Sequence, residues 1–257
     1  MAIDEAILNS VCAGHAQPTI RFYDWNPPTI SCGYNQSIEK EIDLDLVKSK
    51  GYGVVRRPTG GRVVLHEAEV TYSIVTPCEG RFAGTITESY FEISQALAAG
   101  FQLMGIKVDL EREHLSSNHQ RMDSNPCFAS SSKYELNYQN RKIVGSAQVR
   151  KNGCLLQHGS ILLNKDQSSL ADVIPKLDKE KRIRLAKYLT KKTVAINQIL
   201  NKPITYTTAV DFILKGFMIF WREDGFEIAE SLKTKEESEV YGLLTSKYLT
   251  DEWNKRK

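Results

Sequence analysis

Six apolar residues, Ile86, Tyr90, Ile93, Leu97, Phe101 and Met104, recur at steps of four, three, four, four and three along one segment. That spacing predicts a helix from Thr85 to Met104 with a single apolar stripe, ended by Gly105. A stripe of this length has to be covered by a sheet or by further helices. The chain offers both. Strands are expected at 19–25, 29–35, 52–57, 69–76 and 106–110, and the first two, broken at Pro27-Pro28, read as a hairpin-like pair. Residues 132–163 read as a meander that turns at Gln139-Asn140 and Asn152-Gly153.

A helical pattern opens the chain, with Ile3, Ile7 and Val11 in register and Asp4 and Glu5 suited to a first turn. A short helix is expected from Asp43 to Lys50. Beyond residue 163 the pattern turns helical, near 168–174, 179–189, 207–223 and 236–248. The architecture implied is α+β: a mixed, largely antiparallel sheet with packed helices over residues 1–190, and a small helical extension over 191–257 packed on it. Residues 111–125 are polar and aperiodic and read as a surface loop holding His114 and His119.

Composition narrows the function. With 257 residues, 41% hydrophobic and 25% charged, the chain is long enough for a sizeable core, and a formal charge of +3 gives no general argument for nucleic acid. Five widely spaced cysteines without a Cys-x-x-Cys pair argue against a disulfide framework or a zinc ribbon and for a reducing compartment. No apolar run reaches the roughly 18 residues of a membrane span, and the start lacks the form of a signal peptide. A cytoplasmic protein is expected.

Chemistry concentrates in three places. Cys127 follows a proline in a polar stretch, and Lys142 stands just past a tight turn. A thiol becomes a strong nucleophile as thiolate, which a nearby ammonium favours, so the two together suggest acyl transfer, although either alone is as well explained by packing or solvation. Gly145-Ser146-Ala147 and Gly159-Ser160 leave room for a ligand against a strand or serve tight packing, and His158 could orient a substrate, carry protons or simply be structural. Upstream, Arg56-Arg57-Pro58-Thr59-Gly60-Gly61-Arg62, ending at His66, combines guanidinium groups with exposed backbone amides that could hold an anion or carbonyl; an ordinary turn with solvated arginines is the plain alternative. His114, His119 and Cys127 lack recognised metal spacing, so no metal is implied. Eight basic residues against two acidic ones between Lys176 and Lys192 would steer an acidic partner, or else form a solvated helix face.

Met1-Ala-Ile-Asp-Glu, the Arg56–His66 segment, Glu69-Val-Thr-Tyr-Ser, Lys142-Ile-Val-Gly-Ser-Ala-Gln and Leu156-Gln-His-Gly-Ser together resemble the biotin/lipoate protein ligase and octanoyltransferase superfamily from one end of the chain to the other. Pro126-Cys127-Phe128, Lys142 fifteen positions later, and Asp251-Glu-Trp-Asn are most similar to the LipM-type octanoyltransferases. That resemblance implies transfer of octanoyl from acyl carrier protein to the lipoyl-domain lysine of glycine cleavage H protein without ATP; a monomer without cofactor is expected. Cys127 would carry the acyl group as a thioester and Lys142 would lower its pKa, while Arg56, Arg57, Gly60, Gly61, Arg62, His66, Gly145, Ser146, Ala147, His158 and Gly159 would bind substrate. Members of the family carry a further strand ahead of the first helix, which this chain is expected to lack. An ATP-dependent lipoate ligase, an amidotransferase between lipoyl domains, and a non-catalytic acyl- or carrier-binding protein are the alternatives.

Overall fold

A computed structural model of the chain describes residues 1–112, 134–222, 226–229 and 231–256. Helix α1 (Ala2–Cys12) leads into strands β1 (Thr19–Tyr23), β2 (Thr29–Cys32), β3 (Gly53–Arg56), β4 (Val64–His66) and β5 (Glu69–Pro77). Helix α2 (Ile86–Leu103) precedes β6 (Asp109–Arg112), and the meander follows as β7 (Tyr134–Tyr138), β8 (Arg141–Lys151) and β9 (Cys154–Leu162). Helices α3 (Lys179–Lys192), α4 (Tyr206–Trp221) and α5 (Thr234–Leu243) complete the main elements.

Six strands make an antiparallel sheet in the order β1-β5-β9-β8-β7-β6, and a smaller sheet, β3-β2-β4, pairs β2 with β3 in parallel. The two turns of the meander are built from left-handed residues. Gln139 and Asn140 have φ of 49° and 61°, Asn152 and Gly153 of 49° and 76°, which matches the twist of tightly connected strands. The expected pairing of the first two strands does not occur. β1 joins the large sheet beside β5, whereas β2 enters the small one; Pro27-Pro28 lack donors for a ladder, and the chain uses them to change sheets.

Helix α2 begins as a capping box, with the Thr85 hydroxyl accepting from the Glu88 amide and the Glu88 carboxylate accepting from the Thr85 amide. Its stripe covers one face of the large sheet through Ile93, Leu97 and Phe101, all fully buried. Ile86 stands outside this core, about half exposed, because the first turn projects beyond it. Helix α4 lies on α2 and adds Ala209, Ile213, Phe217 and Trp221 to the same cluster as Val70, Tyr72 and Ile74 of the sheet. Within the segment 191–257, therefore, α4 belongs to the principal core.

The other face of the large sheet carries α1, through Ile7, Leu8 and Val11 against Val75, Cys154 and Leu156. A second cluster joins the small sheet (Ile30, Leu65) to α3 (Leu189) and to Leu170 and Val173. The stretch from 113 to 125 lies outside the described residues, while Glu111 and Arg112, also expected in the loop, end β6. No helix among the described residues is long and apolar enough to cross a membrane.

Candidate active site

Where the small sheet approaches the large one, residues of both line a partly open pocket. Its floor is Gly145, Ser146 and Ala147 of β8 and His158, Gly159 and Ser160 of β9; Arg57, His66, Ser31 and Thr71 stand among its walls. Ser146 pairs with Gly159 across the sheet, and Ala147 with His158, so the two candidate segments face each other by register. Gly159 is required by close approach. A Cβ there would stand 2.6 Å from both Ser146 Oγ and Tyr72 Cε1 and 2.9 Å from the Gly145 carbonyl oxygen.

One wall is a chain of hydrogen bonds ending on a buried carboxylate. Arg57 Nη1 donates to Ser31 Oγ (2.9 Å), and Ser31 Oγ lies 2.8 Å from His66 Nε2. His66 Nδ1 lies 2.7 Å from Glu69 Oε1, which also accepts from Thr71 Oγ1 (2.6 Å), while Ser160 Oγ donates to Glu69 Oε2. Trp25 Nε1 donates to Thr71 Oγ1 (2.8 Å), and its indole stacks on His66 with centroids 4.5 Å apart. Glu69 can only accept, so we assign the His66 proton to Nδ1 and let Nε2 accept from Ser31.

A second group centres on Asp4, fully buried in the first turn of α1. It accepts from Tyr23 Oη (3.0 Å) and Ser73 Oγ (2.9 Å), and Arg21 Nη2 stands 3.1 Å away. Burial alone would push this carboxyl up; the neighbouring His158, the chain's amino group and Arg21 outweigh it and hold it well below the usual carboxylate range. His158 Nδ1 faces Asp4 Oδ2 at 3.6 Å, and Nε2 lies 2.6 Å from Thr59 Oγ1. Burial pushes the imidazole below its ordinary pKa despite Asp4, so the ring is neutral at pH 7. A neutral ring facing a carboxylate carries its proton on Nδ1, which leaves Nε2 to accept from Thr59.

Lys142 reaches this face of the sheet through a bulge. Leu136 pairs with Val144 and Asn137 with Lys142, so Ile143 has no partner on β7 and the alternation of β8 reverses there. Val144 points into the α2 core, and the reversal sends Lys142 to the opposite face, where the pocket lies. The lysine is 5% exposed, and its Nζ donates to the equally buried Glu135 at 2.6 Å. It does not line the pocket itself. The Arg56–Arg62 segment is divided. Arg57 is held by the carbonyls of Gly60 and Arg62, so those two residues support a pocket arginine through their backbone. Gly61 fixes the turn: its φ is +93°, and its carbonyl oxygen would be 1.9 Å from a Cβ on Gly33.

Arg56, expected to bind substrate, stands outside the pocket lining. Strand alternation turns it away from Arg57, and its fully buried guanidinium donates to the carbonyls of Gly33, Tyr34, Gln36, Trp253, Asn254 and Arg256. Cys127, like His114 and His119, lies outside the described residues. Burial pushes the thiols of Cys32 and Cys154 up to about 12, which leaves both protonated at neutral pH. The sequence reading missed Asp4, Glu69 and Glu135. For Glu69 a signal was present: a carboxylate opening a β-branched strand must find donors or remain at the rim.

The sequence matches the family described as the lipoyl protein ligase A/B catalytic domain over residues 1–218. It is 43% identical to Octanoyltransferase LipM of Geobacillus kaustophilus, covering 99% of this chain and 92% of that one. To Octanoyltransferase LipM of Staphylococcus aureus it is 41% identical, with 100% and 94% covered. A bipartite lipoate protein ligase from Thermoplasma acidophilum has the same fold, with a TM-score of 0.79 at 24% identity over 99% of this chain and 89% of that one. The chain belongs to the lipoyl protein ligase A/B catalytic domain family. It is an enzyme, an acyltransferase.

Proposed function

We propose that the chain is an octanoyltransferase of lipoate biosynthesis that moves octanoyl from acyl carrier protein to the lipoyl-domain lysine of glycine cleavage H protein through a thioester on Cys127. The octanoyl specificity rests on relatives about 40% identical over the whole chain. The observation that carries the chemistry is the bulge in β8, which brings a buried ammonium to the pocket face of the sheet. A cation held there favours a thiolate over a thiol.

In the first half-reaction the Cys127 thiolate attacks the donor carbonyl. The new carbon–sulfur bond replaces the one to the carrier, whose thiolate departs and takes a proton from the Lys142 ammonium, leaving Lys142 a neutral amine for the second step. In the second, the acceptor lysine attacks as a neutral amine, the bond to Cys127 breaks, and the amine proton passes to Lys142. Thioester to amide is downhill, so no nucleotide takes part. Arg57, His66 and His158 shape the polar wall, and the neutral His158 holds its place without adding a charge that would compete for the thiolate. The reading takes a single chain as the working unit.

Octanoyl carrier and unmodified H protein, incubated with the enzyme with and without ATP, test this reading. Equal octanoylation of H protein in both is expected. An absolute requirement for ATP would replace it with adenylate chemistry.

A further inference from the structure

We propose that the exposed face of α3 is the docking surface for the acidic protein that delivers the acyl thioester. The inference rests on the reading above, in which the donor is a carrier protein. Helix α3 is capped by Asp178, whose side chain accepts from the Lys181 amide, and it buries only Leu189 fully. Its outer face carries Ile183, Lys187 and Lys191 at successive four-residue steps, so they stack along one side. Arg184, beside them, is paired with Glu180. Among the described residues no carboxylate lies within ion-pair distance of Lys179, Lys187 or Lys191.

Apolar exposure on the solvent side of the helix is what separates it from an ordinary solvated helix. Ile183 is 46% exposed and Tyr188 37%, each among cations. A purely solubilising surface has no need of them, whereas protein interfaces combine aromatic and aliphatic anchors with a charged rim. Eight basic residues against two acidic ones between Lys176 and Lys192 fit an acidic partner.

Position supports the assignment. The helix ends at Lys192, and the next residue, Thr193, forms a β-bridge with Lys142; the Val194 amide then donates to the Lys142 carbonyl at 3.1 Å. Bridged strands lie about 5 Å apart, so Lys191 and Lys192 are within a few residues' reach of the lysine that the mechanism uses. A carrier seated on α3 would present its thioester at the edge of the acyl site.

The test compares two donors with wild type and the double variant Lys187→Glu/Lys191→Glu: octanoyl carrier protein, and the small neutral thioester octanoyl-N-acetylcysteamine. The proposal expects KM for the carrier donor to rise about tenfold or more, with the salt dependence of that KM flattened. Transfer from the small thioester should be unchanged, which shows that the fold and Lys142 are intact. Unchanged KM for the carrier would overturn the proposal, as would an equal loss with both donors. Binding of anionic vesicles or duplex DNA through these lysines, with donor KM unaltered, would assign the face to another partner and also overturn it. If wild type uses the small thioester but never the carrier, the donor reading itself fails, which is a distinct result.

Discussion

Arg56→Lys separates a fastening role from a binding role at the arginine that the sequence pointed to as a substrate ligand. Six carbonyl oxygens accept from its guanidinium at 2.6 to 3.0 Å, three from residues 33–36 and three from residues 253–256. Its own backbone adds two more links, accepting from Trp253 Nε1 and donating to Asn254 Oδ1. A lysine ammonium has three donors, so about three of the six carbonyls lose their partner. Bonds from a charged donor contribute about 1.5–3 kcal/mol each, but the carbonyls near the chain end are only part-buried and water can reach them. A loss of about 4 kcal/mol is therefore expected, a fall in Tm of roughly 8–16 °C for a domain of this size. Differential scanning calorimetry measures it, together with kcat and KM at a temperature where the variant is folded. Stability should fall while both constants stay within about threefold of wild type. A stable variant with a large rise in KM would refute the reasoning and return Arg56 to the pocket.

The remaining perturbations act on the pocket. His158 has a folded-state pKa below its ordinary 6.5, so its contribution to stability is complete above pH 6.5 and is lost as pH falls toward the lowered value. In urea titrations from pH 8 to 5, wild type should lose up to about 1.4 kcal/mol per pH unit on that limb, and His158→Gln should flatten it; an unchanged limb would count against the buried neutral ring. Gly159→Ala places a methyl 2.6 Å from the Tyr72 ring and Ser146 Oγ, which should cost about 1–3 kcal/mol and at least tenfold in kcat/KM, read by chemical denaturation and a transfer assay. Glu69→Gln substitutes an amide for one oxygen of an acceptor that meets three donors. It should loosen His66 and lower kcat/KM by about tenfold to a hundredfold, with Tm nearly maintained.

Several parts of this molecule follow directly from one-dimensional patterns. The α2 stripe and the β7–β9 meander are local: their period and their turn residues lie within a few positions of one another, and the structure realises both. The pairing of β1 with β5, and the division of strands between two sheets, depend on contacts about fifty residues apart that no local pattern encodes. Arg56-Arg57 shows the same limit at the site. Adjacent strand residues point to opposite faces, so two arginines that look like one anion clamp become a chain-end fastener and a pocket wall. Asp4 and Glu5 fit a helix first turn by charge, yet the fold buries both: Asp4 faces His158, and Glu5 accepts from Lys247 and Tyr248. The bulge at Ile143 has no sequence signature. Without it, simple alternation would point Lys142 into the core.

The central claim is that the acyl group rests on Cys127 between donor and acceptor. Octanoyl carrier protein is mixed with enzyme in the absence of acceptor, quenched in acid, and the enzyme weighed by intact mass spectrometry before and after proteolysis. The account predicts an octanoyl adduct on the peptide holding Cys127, labile to neutral hydroxylamine and absent from Cys127→Ala, which should also be inactive in transfer. A Cys127→Ala enzyme that transfers octanoyl at the wild-type rate would contradict it.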